Sequence, residues 1–288
     1  MHSIKKLLPQ SCKIVIKRWL LNFRRWTAAY RILPNFIIIG AQKSGTGSLY
    51  RYLLEHPDIF PALRKEIRYF DRNFSRGLNW YRYHFPSRAS RWFRLKIRKK
   101  AFLTGEATPE YLFLPHVARR MRALLPGIKL IVLLRNPAIR AYSHYQHKVR
   151  HEVEQLPFDE ALACEDDRIS GERARMIEDE KFVSAPLRHF SYLARGVYVD
   201  QLKEWLEIFS EEQILIIRSE DLFEDPTKIY DKVISFLGLP KHRLQNPRNY
   251  SAGRYEAVSP ATHSWLKEYF KPHNLRLADF IGRDFHWG

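Results

Sequence analysis

Short apolar runs closed by turn-forming residues alternate along this chain with stretches whose apolar positions recur at helical spacing. Residues 34–40 (PNFIIIG) form one such run, which predicts a buried strand ended by Gly. Thr46 to His56 predicts a helix stopped by Pro57. Ala101 to Gly105 (AFLTG) predicts a second strand. Pro109 to Leu125 predicts a helix, with Pro109 in its first turn and Pro126-Gly127 at its end. Residues 129–134 (KLIVLL) predict a third buried strand, followed by a helix from Pro137 to about Arg150. A helix over Tyr198 to Phe209, a strand over Gln213–Arg218 and a helix over Pro226 to Leu237 closed by Gly238 come next. A terminal helix from His263 to Ile281, with a break at Pro272, completes the pattern. Strands alternating with helices predict an α/β fold: a central, mostly parallel sheet flanked by helices in three layers. Ligands in such folds bind beyond the carboxyl ends of the strands. No internal repeat or low-complexity tract interrupts this organisation.

The chain just after the first strand reads Gly40-Ala41-Gln42-Lys43-Ser44-Gly45-Thr46-Gly47-Ser48. Small residues let a backbone turn tightly against an anion. The helix that follows points free N–H groups and its positive end at the same spot. Lys43 adds a full charge, and Thr46 and Ser48 add hydroxyl donors. The order strand, glycine-rich loop, helix therefore predicts a phosphate or sulfate cradle over Lys43, Ser44, Gly45, Thr46, Gly47 and Ser48. The Walker A pattern of nucleotide hydrolases and kinases needs Lys directly after the second Gly. Here that residue is Thr46, and the strand 129–134 ends in Arg135 rather than in an Asp that would hold magnesium. Arg135 and Ser143, at that strand's end and about two turns into the next helix, predict a second anion site. A nucleotide carrying a separate second phosphate group would use both sites.

Charge strengthens the expectation of an anionic partner. The formal net charge is +18. Residues 1–33 hold eight Lys or Arg and no carboxylate, and Arg88 to Lys100 (RASRWFRLKIRKK) holds seven more. A basic N-terminal arm or amphipathic helix is expected over 1–33, with peripheral contact to an anionic membrane. The stretch 88–100 is expected to guide an acidic polysaccharide or a lipid headgroup. No uninterrupted run of ~18 apolar residues is present to span a bilayer, and no uncharged core suits a secretory signal. Only Cys12 and Cys164 are present, which points to a reducing compartment, so a cytoplasmic location, at the inner face of a membrane, is expected. None of the 12 His shows metal-ligand spacing, and no metal is expected.

The segments IIIGAQKSGTGSLYRYLLEHPDIF, KEIRYFD, GEATPEYLF, KLIVLLRNPAIRAYSHY, ILIIRSEDLFEDP and KEYFKPHNLRLADFIGRDFHW resemble those of PAPS-dependent sulfotransferases. More narrowly they resemble the heparan sulfate N- and 3-O-sulfotransferase branch and its bacterial relatives. The resemblance runs from about residue 35 to residue 288, which implies a P-loop-like sulfotransferase domain over 34–288 with 1–33 outside it. It implies that Lys43 to Ser48 wrap the 5′-phosphosulfate of 3′-phosphoadenosine 5′-phosphosulfate (PAPS), and that Lys43 neutralises the oxygen the sulfuryl group leaves. It implies that Arg135 and Ser143 hold the 3′-phosphate. Ser251, Gly253, Arg254 and Tyr255, within SAGRY, would close over the nucleotide. Glu66, in KEIRYFD, would be the general base on the acceptor, with Glu106 and His144 as second choices. The implied acceptor is a hydroxyl or amine of a saccharide, glycoconjugate or lipid-linked saccharide. Three departures stand out. Ala107 and Ala252 occupy positions where animal members carry Lys, and the cysteine-paired hairpin ahead of the closing loop is missing, so heparan sulfate itself does not follow as the acceptor. Two other readings are a P-loop-type nucleotide kinase, which the absent Walker lysine opposes, and a basic nucleic-acid-binding protein, for which no familiar motif is present.

Overall fold

The computed structural model describes residues 10–248 and 258–287. Its centre is a five-stranded, all-parallel sheet. The strands are β1 (Phe36–Gly40), β2 (Ile59–Pro61), β3 (Leu103–Ala107), β4 (Lys129–Leu134) and β5 (Ile214–Arg218), in the order β2-β3-β1-β4-β5. β1 therefore lies between β3 and β4, with Ile38 paired to Ala107 on one side and Ile131 on the other.

Successive strand residues point to opposite faces, and the core divides accordingly. Ile37 and Ile39 join Leu130, Val132 and Leu134 on one face. Phe36 and Ile38 join Ile131, Leu133 and Ile217 on the other. Every residue of β1 is buried, as expected of a central strand covered on both sides. Each such Ile or Leu contributes about 1.5–3 kcal/mol by leaving water.

Among the described residues the longer helices that frame the sheet and its edges are α1 (Gln10–Trp26), α2 (Thr46–Leu53), α3 (Val117–Leu124), α4 (Pro137–Val149), α5 (Tyr198–Leu206), α6 (Pro226–Phe236) and α7 (Pro260–Ile281), with shorter helices and turns between them. α2 and α6 cover the Phe36/Ile38 face through Leu49, Leu53, Ile229 and Val233. α3 and α5 cover the opposite face through Val117, Met121, Leu202 and Trp205. A separate cluster of Ala138, Ala141, Phe158, Leu162, Tyr192, Leu266 and Phe270 ties α4 and α7 to the short helix Phe158–Ala163.

The expected three-layer α/β architecture is present, with several corrections to the elements. The helix expected over Pro109 to Leu125 is a 3₁₀ turn (Tyr111–Phe113) and then α3. Pro115 is the reason: it drives Leu114 into extended backbone (φ −91°, ψ 132°) and so interrupts the helix. α7 is unbroken at Pro272 and starts three residues earlier than expected, at Pro260, where the Ser259 side chain accepts from the Thr262 amide. Pro272 and Glu268, whose carbonyl loses its donor, both lie on the water side of α7. The three-residue β2 and the short helices between Phe158 and His189 were not anticipated.

α1 is joined to the body near its C-terminal end. The Arg24 guanidinium donates to the carbonyls of Tyr83 (3.0 Å) and Phe85 (2.7 Å), and Arg31 donates to the carbonyl of Phe85 (3.0 Å).

Candidate functional site

The segments that follow the strands converge on one cleft of about 720 Å³. Gln42 to Gly47 arrive from β1, Lys65 to Arg72 from beyond β2, and Pro109 and Glu110 from β3. Arg135, Ile139, Tyr142, Ser143, His147 and Lys148 come from β4 and α4, and Phe223 from beyond β5. This is the carboxyl end of the sheet, where a parallel fold places ligands. Among the described residues seven Lys or Arg line the cleft against two Glu, so the site favours an anion.

The loop after β1 is shaped for that task. Lys43 (φ 71°) and Gly45 (φ 84°) both adopt left-handed backbone, and Gly45 caps α2. A Cβ at Gly45 would sit 2.9 Å from the Phe223 ring, so the close approach needs glycine as well as its torsion. Such a turn aims consecutive N–H groups, with the amino end of α2, at one point. Lys43, Gly45, Thr46 and Gly47 line the cleft. Ser44 and Ser48 are buried beneath it, and the Ser44 carbonyl accepts from the Ser219 hydroxyl at 2.9 Å.

β4 delivers the second half. Arg135 Nη1 donates to the Lys43 carbonyl at 3.1 Å, so the two cationic segments touch. The Asn136 side chain accepts from the amides of Ala138 and Ile139 and starts α4. Pro137 fits the first turn, where a missing N–H costs nothing. α4 then turns Ser143, His147 and Lys148 toward the same cavity. Burial, and then the nearby charge of Lys43, push the His147 imidazole down to about 4, so it is neutral at neutral pH. Burial lowers the Lys148 ammonium to about 8. Lys148 Nζ lies 2.7 Å from Nδ1 of His189, which burial and that ammonium lower to about 4. The neutral imidazole is therefore the acceptor.

The opposite end of the cleft is a dense ion network. Glu110, on the segment after β3, takes Arg68 in a two-pronged pair at 2.6 and 2.9 Å, with Arg72 at 3.6 Å and Arg188 at 3.5 Å. Burial alone would raise this carboxyl, but the arginines outweigh it and hold it down at about 2. Asp71 lies deeper and lacks the hydrogen bonds. Burial and the charge of Glu110 push it up to about 6 despite Arg68 at 3.6 Å.

Glu66 lines the cleft and pairs with Lys65 (2.9 Å) and Arg68 (3.1 Å). Its side chain is 30% exposed where that of Glu110 is 4%, so Glu66 is the more accessible of the two. Glu106 and His144 are fully buried, and neither lines the cleft. Glu106 accepts from Tyr81 (2.7 Å), Thr108 (2.7 Å) and the Ile67 amide (3.2 Å), and burial raises it to about 7. It braces the segment that carries Glu66. His144 is held well below the ordinary imidazole range by burial and by Arg140.

The cleft thus unites Lys43, Gly45, Thr46, Gly47, Glu66, Arg135 and Ser143 among the residues expected from the sequence. Ser251, Gly253, Arg254 and Tyr255 lie outside the described residues. Sequence reasoning missed Arg68, Arg72, Glu110, Lys148, Arg188 and His189. Arg68 and Glu110 sit inside the segments KEIRYFD and GEATPEYLF, where they carried a usable signal. Arg188 and His189 end a short helix that no motif marks.

Residues 33–280 match the family described as Sulfotransferase domain. The chain is 31% identical over 282 residues to heparan sulfate glucosamine 3-O-sulfotransferase 6 of Homo sapiens, covering 90% of this chain and 75% of that one. It is 29% identical over 320 residues to the membrane-associated sulfotransferase kil1 of Dictyostelium discoideum, covering 88% of this chain and 66% of that one. It spans only 29% of the bifunctional heparan sulfate N-deacetylase/N-sulfotransferase 1 of Mus musculus, at 29% identity. A solved sulfotransferase from Alicyclobacillus acidocaldarius superposes with a TM-score of 0.67 at 32% identity, over 89% of this chain and 99% of that one.

Proposed function

The chain belongs to the sulfotransferase family, and we propose that its cleft moves a sulfuryl group from PAPS to a hydroxyl or amine of a saccharide or glycoconjugate. The observation that carries this reading is the contact between the loop after β1 and Arg135, which puts two cationic segments on one cavity. A donor with a phosphosulfate at one end and a 3′-phosphate at the other matches two such segments, whereas a nucleotide with a single phosphate chain does not. The left-handed turn at Lys43 and Gly45 suits the phosphosulfate, and Arg135 with Ser143 suits the 3′-phosphate. The kinase and nucleic-acid readings find no support in the family assignment.

In this reading PAPS supplies an activated sulfuryl group, and the protein supplies position and charge. Sulfuryl transfer resembles phosphoryl transfer, in which charge spread over a loose transition state makes cations and alignment the main source of rate. Lys43 faces the oxygen that gains charge as the S–O bond to the donor breaks. Glu66 accepts the acceptor's proton as the new S–O bond forms. Lys65 and Arg68 pair with the Glu66 carboxylate and aim it. The saccharide extends toward Arg72, Arg188 and Lys148, which suits an acceptor that is itself acidic. α1, with exposed Trp19, Leu20, Phe23 and Trp26 among basic residues, suits peripheral contact with an anionic membrane. No helix among the described residues is long and apolar enough to cross one. With only two cysteines in the chain, we place the enzyme on the cytoplasmic side.

Transfer from labelled PAPS to a panel of saccharides tests the activity. Stabilisation by adenosine 3′,5′-bisphosphate but not by ATP–magnesium tests the donor site. Lys43→Ala is expected to abolish transfer. Retention of more than about one-tenth of the parent rate, roughly 1.4 kcal/mol of transition-state stabilisation, would overturn the role of that lysine.

A further inference from the structure

A second cavity, of about 600 Å³, opens at the other end of the sheet, beside the residues that lead into β1. It shares no residue with the cleft. Among the described residues Arg31, Arg82, Arg88 and Arg91 line it, with Trp92 and Leu95, and no carboxylate does. Arg31 is spent: its guanidinium donates to the Phe85 and Arg24 carbonyls and to the Thr27 hydroxyl, so it contributes charge but few donors. The other three arginines differ. Among the described residues, none of their side chains has a hydrogen bond or an ion pair, and Nε of Arg82 is buried without a partner. By contrast Arg94, in the same basic stretch, is committed to Asp58 at 2.5 Å.

Three unpaired guanidiniums around a hollow call for a multiply charged oxyanion. The rim decides its source. Trp92 is 58% exposed and Leu95 40%, and the next residues Phe93 and Ile97 are exposed as well. Nearby, α1 is pinned to the carbonyls of Tyr83 and Phe85, next to Arg82 in the chain, and presents Trp19 and Trp26 to solvent. A soluble phosphate has no use for two apolar flanks, whereas an anionic headgroup with an acyl chain beside it uses both.

We propose that this arginine pocket binds the phosphate of an anionic phospholipid, so that α1 and the segment Arg88–Lys100 dock together on a bilayer. The proposal rests on the membrane reading of α1 for the source of the phosphate. Docking there puts the lipid at the amino end of the sheet and leaves the cleft, at the carboxyl end, open to the aqueous side.

The test is flotation of the full chain with phosphatidylcholine vesicles, with and without phosphatidylglycerol. The parent is expected to bind only the anionic vesicles, more weakly as salt rises. Each basic residue near such a surface contributes roughly fivefold, so a double Arg88→Ala, Arg91→Ala variant should lose about 30-fold in partition. Both side chains are exposed, and an unchanged melting temperature with unchanged adenosine 3′,5′-bisphosphate binding confirms that the variant is folded. If that variant floats like the parent while Trp19→Ser, Phe23→Ser is lost, the helix reading stands and the pocket proposal falls. If the parent ignores both vesicles, both fall. Displacement of the parent from vesicles by glycerol phosphate alone would make this a site for soluble phosphate and overturn the lipid assignment. Loss of heparin or DNA binding in the double variant, with flotation intact, would give the pocket to a polyanion and overturn it equally.

Discussion

Replacing Glu110 with Gln removes the one carboxylate that Arg68, Arg72 and Arg188 share, and its cost follows from the structure. The carboxyl is held at about 2 against an ordinary 4.5, a difference worth roughly 3 kcal/mol in favour of the ionised, paired form. Breaking one side of a buried ion network costs about 3–5 kcal/mol by the general experience of such variants. One compensation works the other way. The charge of Glu110 is part of what raises Asp71 to about 6, so its removal relieves that repulsion and leaves Asp71 to hold Arg68 and Arg72, which it already approaches. The expected net loss is therefore near the lower figure, about 2–3 kcal/mol, which for a chain of 288 residues lowers the melting temperature by roughly 3–5 °C. The pH dependence is distinctive. Because the folded carboxyl titrates below the unfolded one, its contribution is complete above pH 4.5 and disappears as pH falls from there toward about 2. Thermal melts of parent and Glu110→Gln should differ most at neutral pH and converge in acid. Equal melting temperatures at neutral pH, or a gap that does not narrow on acidification, would refute the assignment of Glu110 as the organiser of the cleft arginines.

Two further predictions concern carboxyls nearby. Glu66→Gln should lower turnover by on the order of a hundredfold, the scale of a lost general base, and leave adenosine 3′,5′-bisphosphate affinity unchanged. An equal fall in both quantities would reduce Glu66 to a structural ion-pair partner. Glu106 behaves in the opposite sense to Glu110: its folded carboxyl is raised to about 7, so the parent loses stability as pH rises from 4.5 through about 7. Glu106→Gln should remove that loss, so that its melting temperature gains on the parent's across this range, and parallel curves would exclude it.

Much of this architecture was legible in the sequence because the signals were local. A run such as KLIVLL has few options other than a buried strand, and the glycine-rich loop after β1 encodes its own torsions. Lys43 and Arg135 could be placed at strand ends, and adjacent parallel strands then bring them together. What escaped was long-range. β2 is three residues long and owes its existence to pairing with β3, so nothing within Ile-Phe-Pro announces it. Arg188 reaches the cleft from a five-residue helix distant in sequence from Glu110, its partner. Glu106 was a second choice for the base. It points instead into a cage of Tyr81, Thr108 and the Ile67 amide. The helix over Pro109 to Leu125 failed for a local reason: Pro115 outweighed the apolar periodicity on either side of it.

The adjacency of β1 and β4 has a consequence for selectivity. Both segments proposed to grip the donor's anions begin on hydrogen-bonded neighbours, in a register that pairs Ile38 with Ile131 and Gly40 with Val132. The gap between the two grips is thus written in main-chain pairing, like the jaws of a fixed calliper. Exchanging the side chains on the jaws changes how firmly a molecule is held but leaves the length it must have. A donor with a shorter or longer span would need the strands to slip, and a slip by one residue turns every apolar side chain of the central strand to the wrong face.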